Sequence, residues 1–179
     1  MQMEDANGGL ARMVDGGTLV IQRWLPGPAE RVWRYLVDGE KRRQWLAAGE
    51  MELVAGAAFE LVWRNDALSA PTDPRPDGQS EVQRLQSRVV AVDAPRRLVI
   101  SWGTGEVSFE LSERGDRVLL TLRHSGLSEG PVRADVAGGW HMHLDILVDR
   151  LSGRAPKSFW SGWVRLRDHY AGPEAGAVT

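Results

Sequence analysis

The stretch Gly138-Gly139-Trp140-His141-Met142-His143-Leu144-Asp145-Ile146-Leu147-Val148-Asp149-Arg150-Leu151 decides the fold. At helical spacing, Trp140, Leu144, Leu147, Val148 and Leu151 form one stripe. Asp145, Asp149 and Met142 fall on the opposite side, with His141 and His143 on the two edges of the stripe. Gly153 supplies a left-handed stop. The spacing predicts an amphipathic helix over 138–152, about four turns long, enough to lie across a small sheet.

Upstream the apolar period changes from helical to two. Phe59, Leu61 and Trp63 alternate with Glu60, Val62 and Arg64. A long strand is expected over 81–93, turned by Ala94-Pro95-Arg96. Leu98, Ile100 and Trp102 then alternate, followed by Val107, Phe109 and Leu111, and by Val118, Leu120, Leu122 and His124. Gly103-Thr104-Gly105 and Glu113-Arg114-Gly115-Asp116 separate these runs as hairpin turns. This is an antiparallel meander with one dry face, and the helix must cover that face. Further upstream, Leu10 to Val14 reads as a short strand, Asp15-Gly16-Gly17 as a turn and Thr18 to Trp24 as a strand. Ala29 to Val37 reads as a helix that buries Val32, Trp33, Leu36 and Val37, and Glu40 to Ala47 as a second, shorter one carrying Trp45 and Leu46. Downstream, Phe159, Trp160, Trp163, Leu166 and Tyr170 mark a last amphipathic helix. Asn65 to Ser80, rich in Pro, Asp and Ser, reads as one long structureless loop. Segregated helices on an antiparallel sheet define an α+β fold. A single domain is expected over 10–171, with disordered ends at 1–9 and 172–179.

Composition bounds the function. A net charge of −2 argues against a nucleic-acid-binding surface. The absence of cysteine removes disulfide and thiol chemistry and suits a cytoplasmic location. No apolar run is long enough for a signal peptide or a membrane span. Eight tryptophans either fill a core or wall a cavity.

The order of elements is that of a helix-grip fold, and several segments carry a family resemblance. Pro28 to Leu36 and Gln44-Trp45-Leu46 resemble the first two helices of the START-like (SRPBCC) superfamily, within it the activator of heat-shock protein 90 ATPase homologues. Gly56-Ala57-Ala58-Phe59, Val90 to Leu98 with Ser101-Trp102-Gly103, Leu120 to His124 and Gly139 to Leu151 complete it over about residues 10–171. The resemblance implies a curved antiparallel sheet wrapped around the long C-terminal helix, with two short helices after the first strand. It also implies a gap between sheet and helix, but no particular reaction.

Within that gap the expected lining comprises the rings of Trp45, Phe59, Trp63, Trp102, Phe109 and Trp140, the aliphatic Leu61, Leu144 and Leu147, and the imidazoles of His124 and His143. His124 shares the inward face of its strand. It is either a satisfied core histidine, a polar anchor for a ligand or a general acid/base. His141 and His143 are two residues apart, so they face opposite edges and do not form a metal pair. The cluster Glu40-Lys41-Arg42-Arg43 reads as a solvated helix face. Nucleophile-elbow and phosphate-loop patterns are absent. The expected function is binding of a small apolar or aromatic molecule, without cofactor or metal and with no catalysis. Alternatives are a polyketide cyclase or aromatase using the same cavity, and a co-chaperone-like partner in a stress response. A homodimer and a chaperone partner stay open as expectations.

Overall fold

The computed structural model describes residues 8–172. The expected terminal disorder therefore falls mainly outside the described residues. Seven strands form one antiparallel sheet in the order β1-β2-β7-β6-β5-β4-β3. They are β1 (Arg12–Val14), β2 (Thr18–Pro26), β3 (Ala58–Trp63), β4 (Gln83–Asp93), β5 (Arg97–Trp102), β6 (Gly105–Arg114) and β7 (Arg117–His124). Strand β4 turns the corner of the sheet. Its first half pairs with β3, Gln83 opposite Trp63, and its second half pairs with β5 across a bulge between Val89 and Ala91. The sheet is curved and unclosed, and it grips the C-terminal helix, as the period-two pattern and the amphipathic stretch predict.

Helix α1 (Ala29–Val37) buries Val32, Trp33 and Leu36. The second helix is shorter than expected: α2 spans Gly39–Arg42 only. The reason is Arg42, which is buried rather than solvated. Its guanidinium donates to the carbonyls of Leu36, Val37, Ala47 and Gly49, and these bonds fold the chain around it. Burial lowers the Arg42 pKa to about 10, against the opposing fields of Glu50 and Asp38, so it stays charged at neutral pH.

The long helix α3 runs Val132–Leu151, so it begins six residues before the expected 138. Two adjacent glycines are poor helix formers in isolation, which hid its first turns. Gly138 is required by packing: a Cβ there would lie 2.9 Å from the backbone nitrogen of Arg167. Arg167 belongs to α4 (Phe159–Tyr170), which crosses α3 at that point. A second close approach is at Gly162 of α4, where a Cβ would strike the Met142 thioether. Met142 is accordingly buried, and the side of α3 expected to face solvent is covered by α4. Asp149, on the same side, is also buried; it accepts from Arg154 Nε and from the Lys157 backbone and side chain, tying down the turn between the helices.

Residues 65–80 are not structureless. Asn65–Leu68 form a 3-10 turn, with Asn65 and Leu68 buried. Asp66 accepts from Trp160 Nε1 at 2.8 Å, and Asp73 accepts from the Ser161 amide at 3.0 Å and from the Ser158 and Ser161 hydroxyls. Asp73 thus caps the first turn of α4, where a carboxylate also suits the positive end of the helix dipole. Burial opposes its charge, but these hydrogen bonds outweigh it and hold its pKa below the ordinary 3.8. Composition alone concealed a segment in which Asp66 and Asp73 both serve one helix end.

Candidate functional site: a cavity between sheet and helices

The antiparallel register brings three strand ends together. β3 ends at Trp63, β5 at Trp102 and β7 at His124, and Val107 near the start of β6 pairs with His124. These ends lie against α3, and α4 closes the other side. Between them is a cavity of about 370 Å³. Its walls are largely aromatic. Trp102 stands at the centre of a ring cluster, with centroids 5.3 Å from Trp63, 5.2 Å from Trp140 and 5.3 Å from His124. Phe159, Trp160 and Trp163 continue the wall on α4, with Phe159 5.1 Å from Trp160 and Trp160 5.9 Å from Trp163. Tilted and edge-on arrangements at these separations are the favourable geometries for aromatic quadrupoles.

Of the residues expected in the lining, Trp63, Trp102, His124, Trp140 and His143 lie on the cavity. Trp45, Phe59, Leu61, Phe109, Leu144 and Leu147 do not; they are buried in the packed core behind it. Facing inward is shared by core and cavity positions along a strand, so alternation does not separate them. Phe159, Trp160 and Trp163 on α4 were missed. Their number on one short amphipathic helix was the available signal. Asn65, Gln79, Gln83 and Arg84 join the lining from the segment after β3 and the start of β4, Asp135 and Val136 from the unexpected first turns of α3, and Gly139 from the predicted stretch.

Two of the polar groups of the cavity, the imidazoles of His124 and His143, are held by specific partners. Trp140 Nε1 donates to His124 Nδ1 at 3.0 Å. Burial lowers the His124 pKa from 6.5 to about 4, so the ring is neutral at physiological pH. His143 Nδ1 lies 2.7 Å from the carbonyl oxygen of Trp45, and its ring packs on Phe159 with centroids 4.6 Å apart. Burial dominates its shift, again to about 4, although the Trp45 carbonyl pulls the other way. Trp45 therefore serves the site through its backbone, while its indole donates to the Tyr35 carbonyl. The Asn65 Oδ1 is buried without a hydrogen-bond partner among the described residues.

His141 turns away from the cavity, as its position two residues from His143 requires. Its Nδ1 meets the Tyr170 hydroxyl at 2.8 Å, and its Nε2 faces Asp145 at 3.5 Å. Asp145 accepts from the buried Arg23 of β2 at 3.1 Å. Burial leads in lowering the His141 pKa to about 4, with Asp145 opposing.

A curved antiparallel sheet that holds a C-terminal helix over a cavity is the helix-grip architecture of START-like proteins. The chain belongs to the family described as "Activator of Hsp90 ATPase homolog 1-like protein", whose model matches residues 26–152. Among solved structures, it resembles a Bordetella parapertussis protein determined by NMR in solution, at 36% identity. That match covers 92% of this chain and 90% of the other, with a TM-score of 0.77. An Enterococcus faecalis protein of unknown function is 18% identical over 93% of this chain and 90% of its own, with a TM-score of 0.69. CalU16 from Micromonospora echinospora is 24% identical over 90% and 92%, with a TM-score of 0.62. The last two show the fold alone. No curated protein matches the chain. Among the described residues, no helix is long and apolar enough to cross a membrane.

Proposed function

We propose that this chain binds a small, mainly aromatic molecule in the cavity between sheet and helices, as a binding protein rather than a catalyst. The observation that carries this reading is the aromatic wall itself. Five tryptophans, Trp63, Trp102, Trp140, Trp160 and Trp163, surround about 370 Å³ of space instead of filling it. Concave, mostly apolar sites with a few fixed polar groups are the usual form of small-molecule pockets. Use of His124 as a general acid/base finds little support. A ring whose pKa is near 4 and whose Nδ1 already accepts from Trp140 is a weak base and is not protonated at neutral pH. The reading is tested by melting the protein with a library of bicyclic aromatic compounds. A ligand at a hundred times its Kd that binds only the folded state adds about 2.7 kcal/mol. For a domain of this size that raises Tm by roughly 5–11 °C. A library without a single shift counts against the reading.

A further inference from the structure

The two cavity histidines are held in opposite tautomers. A carbonyl oxygen only accepts, so the His143 Nδ1 facing Trp45 carries the proton. In a neutral ring, His143 Nε2 is then a bare acceptor. An indole N–H only donates, so His124 Nδ1 facing Trp140 is bare. The proton of that neutral ring sits on Nε2, which is a donor. Neither Nε2 makes a hydrogen bond among the described residues, and both residues line the cavity, so each Nε2 is left for a ligand there. The protein's own backbone and indole groups thus fix a donor and an acceptor against the aromatic wall, beside the unpartnered Asn65 Oδ1.

We propose that the cavity selects neutral aromatic molecules bearing a hydrogen-bond acceptor and a hydroxyl, hydroxyaryl ketones being the simplest class, with the acceptor received by His124 Nε2–H and the hydroxyl donating to His143 Nε2. The proposal rests on the aromatic-binding reading above. An anionic group would set its lone pairs against the bare His143 Nε2. The charged side chains of the lining, Arg84 and Asp135, are exposed and of opposite sign, so they supply no net attraction for an ion.

The test uses protein labelled with ¹⁵N in histidine and four probes: naphthalene, 2-naphthol, 2-acetylnaphthalene and 2-naphthoate. In the free protein, imidazole ¹⁵N shifts should show the proton on Nε2 of His124 and on Nδ1 of His143. 2-Acetylnaphthalene, which only accepts, should move His124 Nε2, and 2-naphthol should also move His143 Nε2. Each should bind roughly three- to tenfold tighter than naphthalene, as one added hydrogen bond implies. His143→Phe should reduce the affinity for 2-naphthol while sparing the affinity for 2-acetylnaphthalene and its shift of His124 Nε2. The free-protein spectrum needs no variant, so the assignment is tested even if His143→Phe does not fold. Equal affinity for naphthalene and its derivatives, tightest binding of 2-naphthoate, or the same tautomer at both histidines would overturn the proposal while leaving aromatic binding intact. Failure of all four probes to bind would overturn the binding reading itself.

Discussion

Gly138 and Gly139 are neighbours in α3, yet substitution by alanine should act on them in opposite directions. In a free helix each change gains about 1 kcal/mol, because glycine loses more backbone freedom on folding. At 138 the new Cβ meets the Arg167 nitrogen at 2.9 Å, the Arg167 Cα at 3.2 Å and the Trp163 oxygen at 3.4 Å. All of these are backbone atoms, so no side chain can swing aside. Restoring a 3.4 Å contact to the nitrogen from 2.9 Å moves α4 outward by about 0.5 Å, and overpacking of this kind costs about 1–3 kcal/mol. The net result for Gly138→Ala is a loss of up to about 2 kcal/mol, or a Tm lower by up to roughly 8 °C. At 139 a Cβ meets nothing within 4 Å, so Gly139→Ala should stabilise by about 0.5–1 kcal/mol. Urea denaturation followed by tryptophan fluorescence measures both. If Gly138→Ala stabilises as much as Gly139→Ala, the close crossing of α3 and α4 is wrong, and with it the α4 wall of the cavity.

Leu147, fully buried between helix and sheet, should cost about 2–5 kcal/mol on truncation to alanine in the same assay. Trp102→Ala should weaken binding of aromatic compounds measured by calorimetry, because that ring touches Trp63, His124 and Trp140. Stability should fall as the pH drops from about 6.5 towards 4: His124, His141 and His143 stay neutral when folded, but the unfolded chain takes up their protons in that window. His124→Gln should flatten the slope of unfolding free energy near pH 5 by about one proton, or about 1.4 kcal/mol per pH unit. Asp73 acts in the same sense at lower pH: its lowered pKa gives stability that is present above 3.8 and lost as the pH falls below it. Asp73→Asn should therefore loosen residues 69–82 at neutral pH, seen as faster amide exchange there, and a wild-type exchange rate in the variant would contradict its capping role.

How much of this was legible in the sequence depended on the physical signal available. Alternation in β5, β6 and β7 placed His124 inward because a strand offers only two faces. The stripe from Trp140 to Leu151 identified the helix that the sheet grips. The same stripe mislabelled the opposite side, since Met142 and Asp149 are covered by α4 and its preceding turn, a tertiary contact that no local period encodes. Arg42 looked solvated because its burial depends on four carbonyls gathered by the fold. Trp63 and Phe59 share one face of β3, yet only Trp63 borders open space; the difference lies in what α4 leaves unfilled. The tether of Asp66 and Asp73 to α4 spans more than eighty residues of chain and was hidden for the same reason.

The most direct test of the central claim uses the tryptophans as internal reporters. Five indoles border the cavity, and Trp24, Trp33 and Trp45 do not. A two-dimensional ¹H–¹⁵N spectrum during titration with the tightest-binding aromatic compound resolves each indole N–H. The account predicts that Trp63, Trp102, Trp140, Trp160 and Trp163 shift together and saturate with one Kd, while the other three stay in place. Saturable binding that moves Trp24, Trp33 or Trp45 and leaves the cavity indoles unmoved would contradict it.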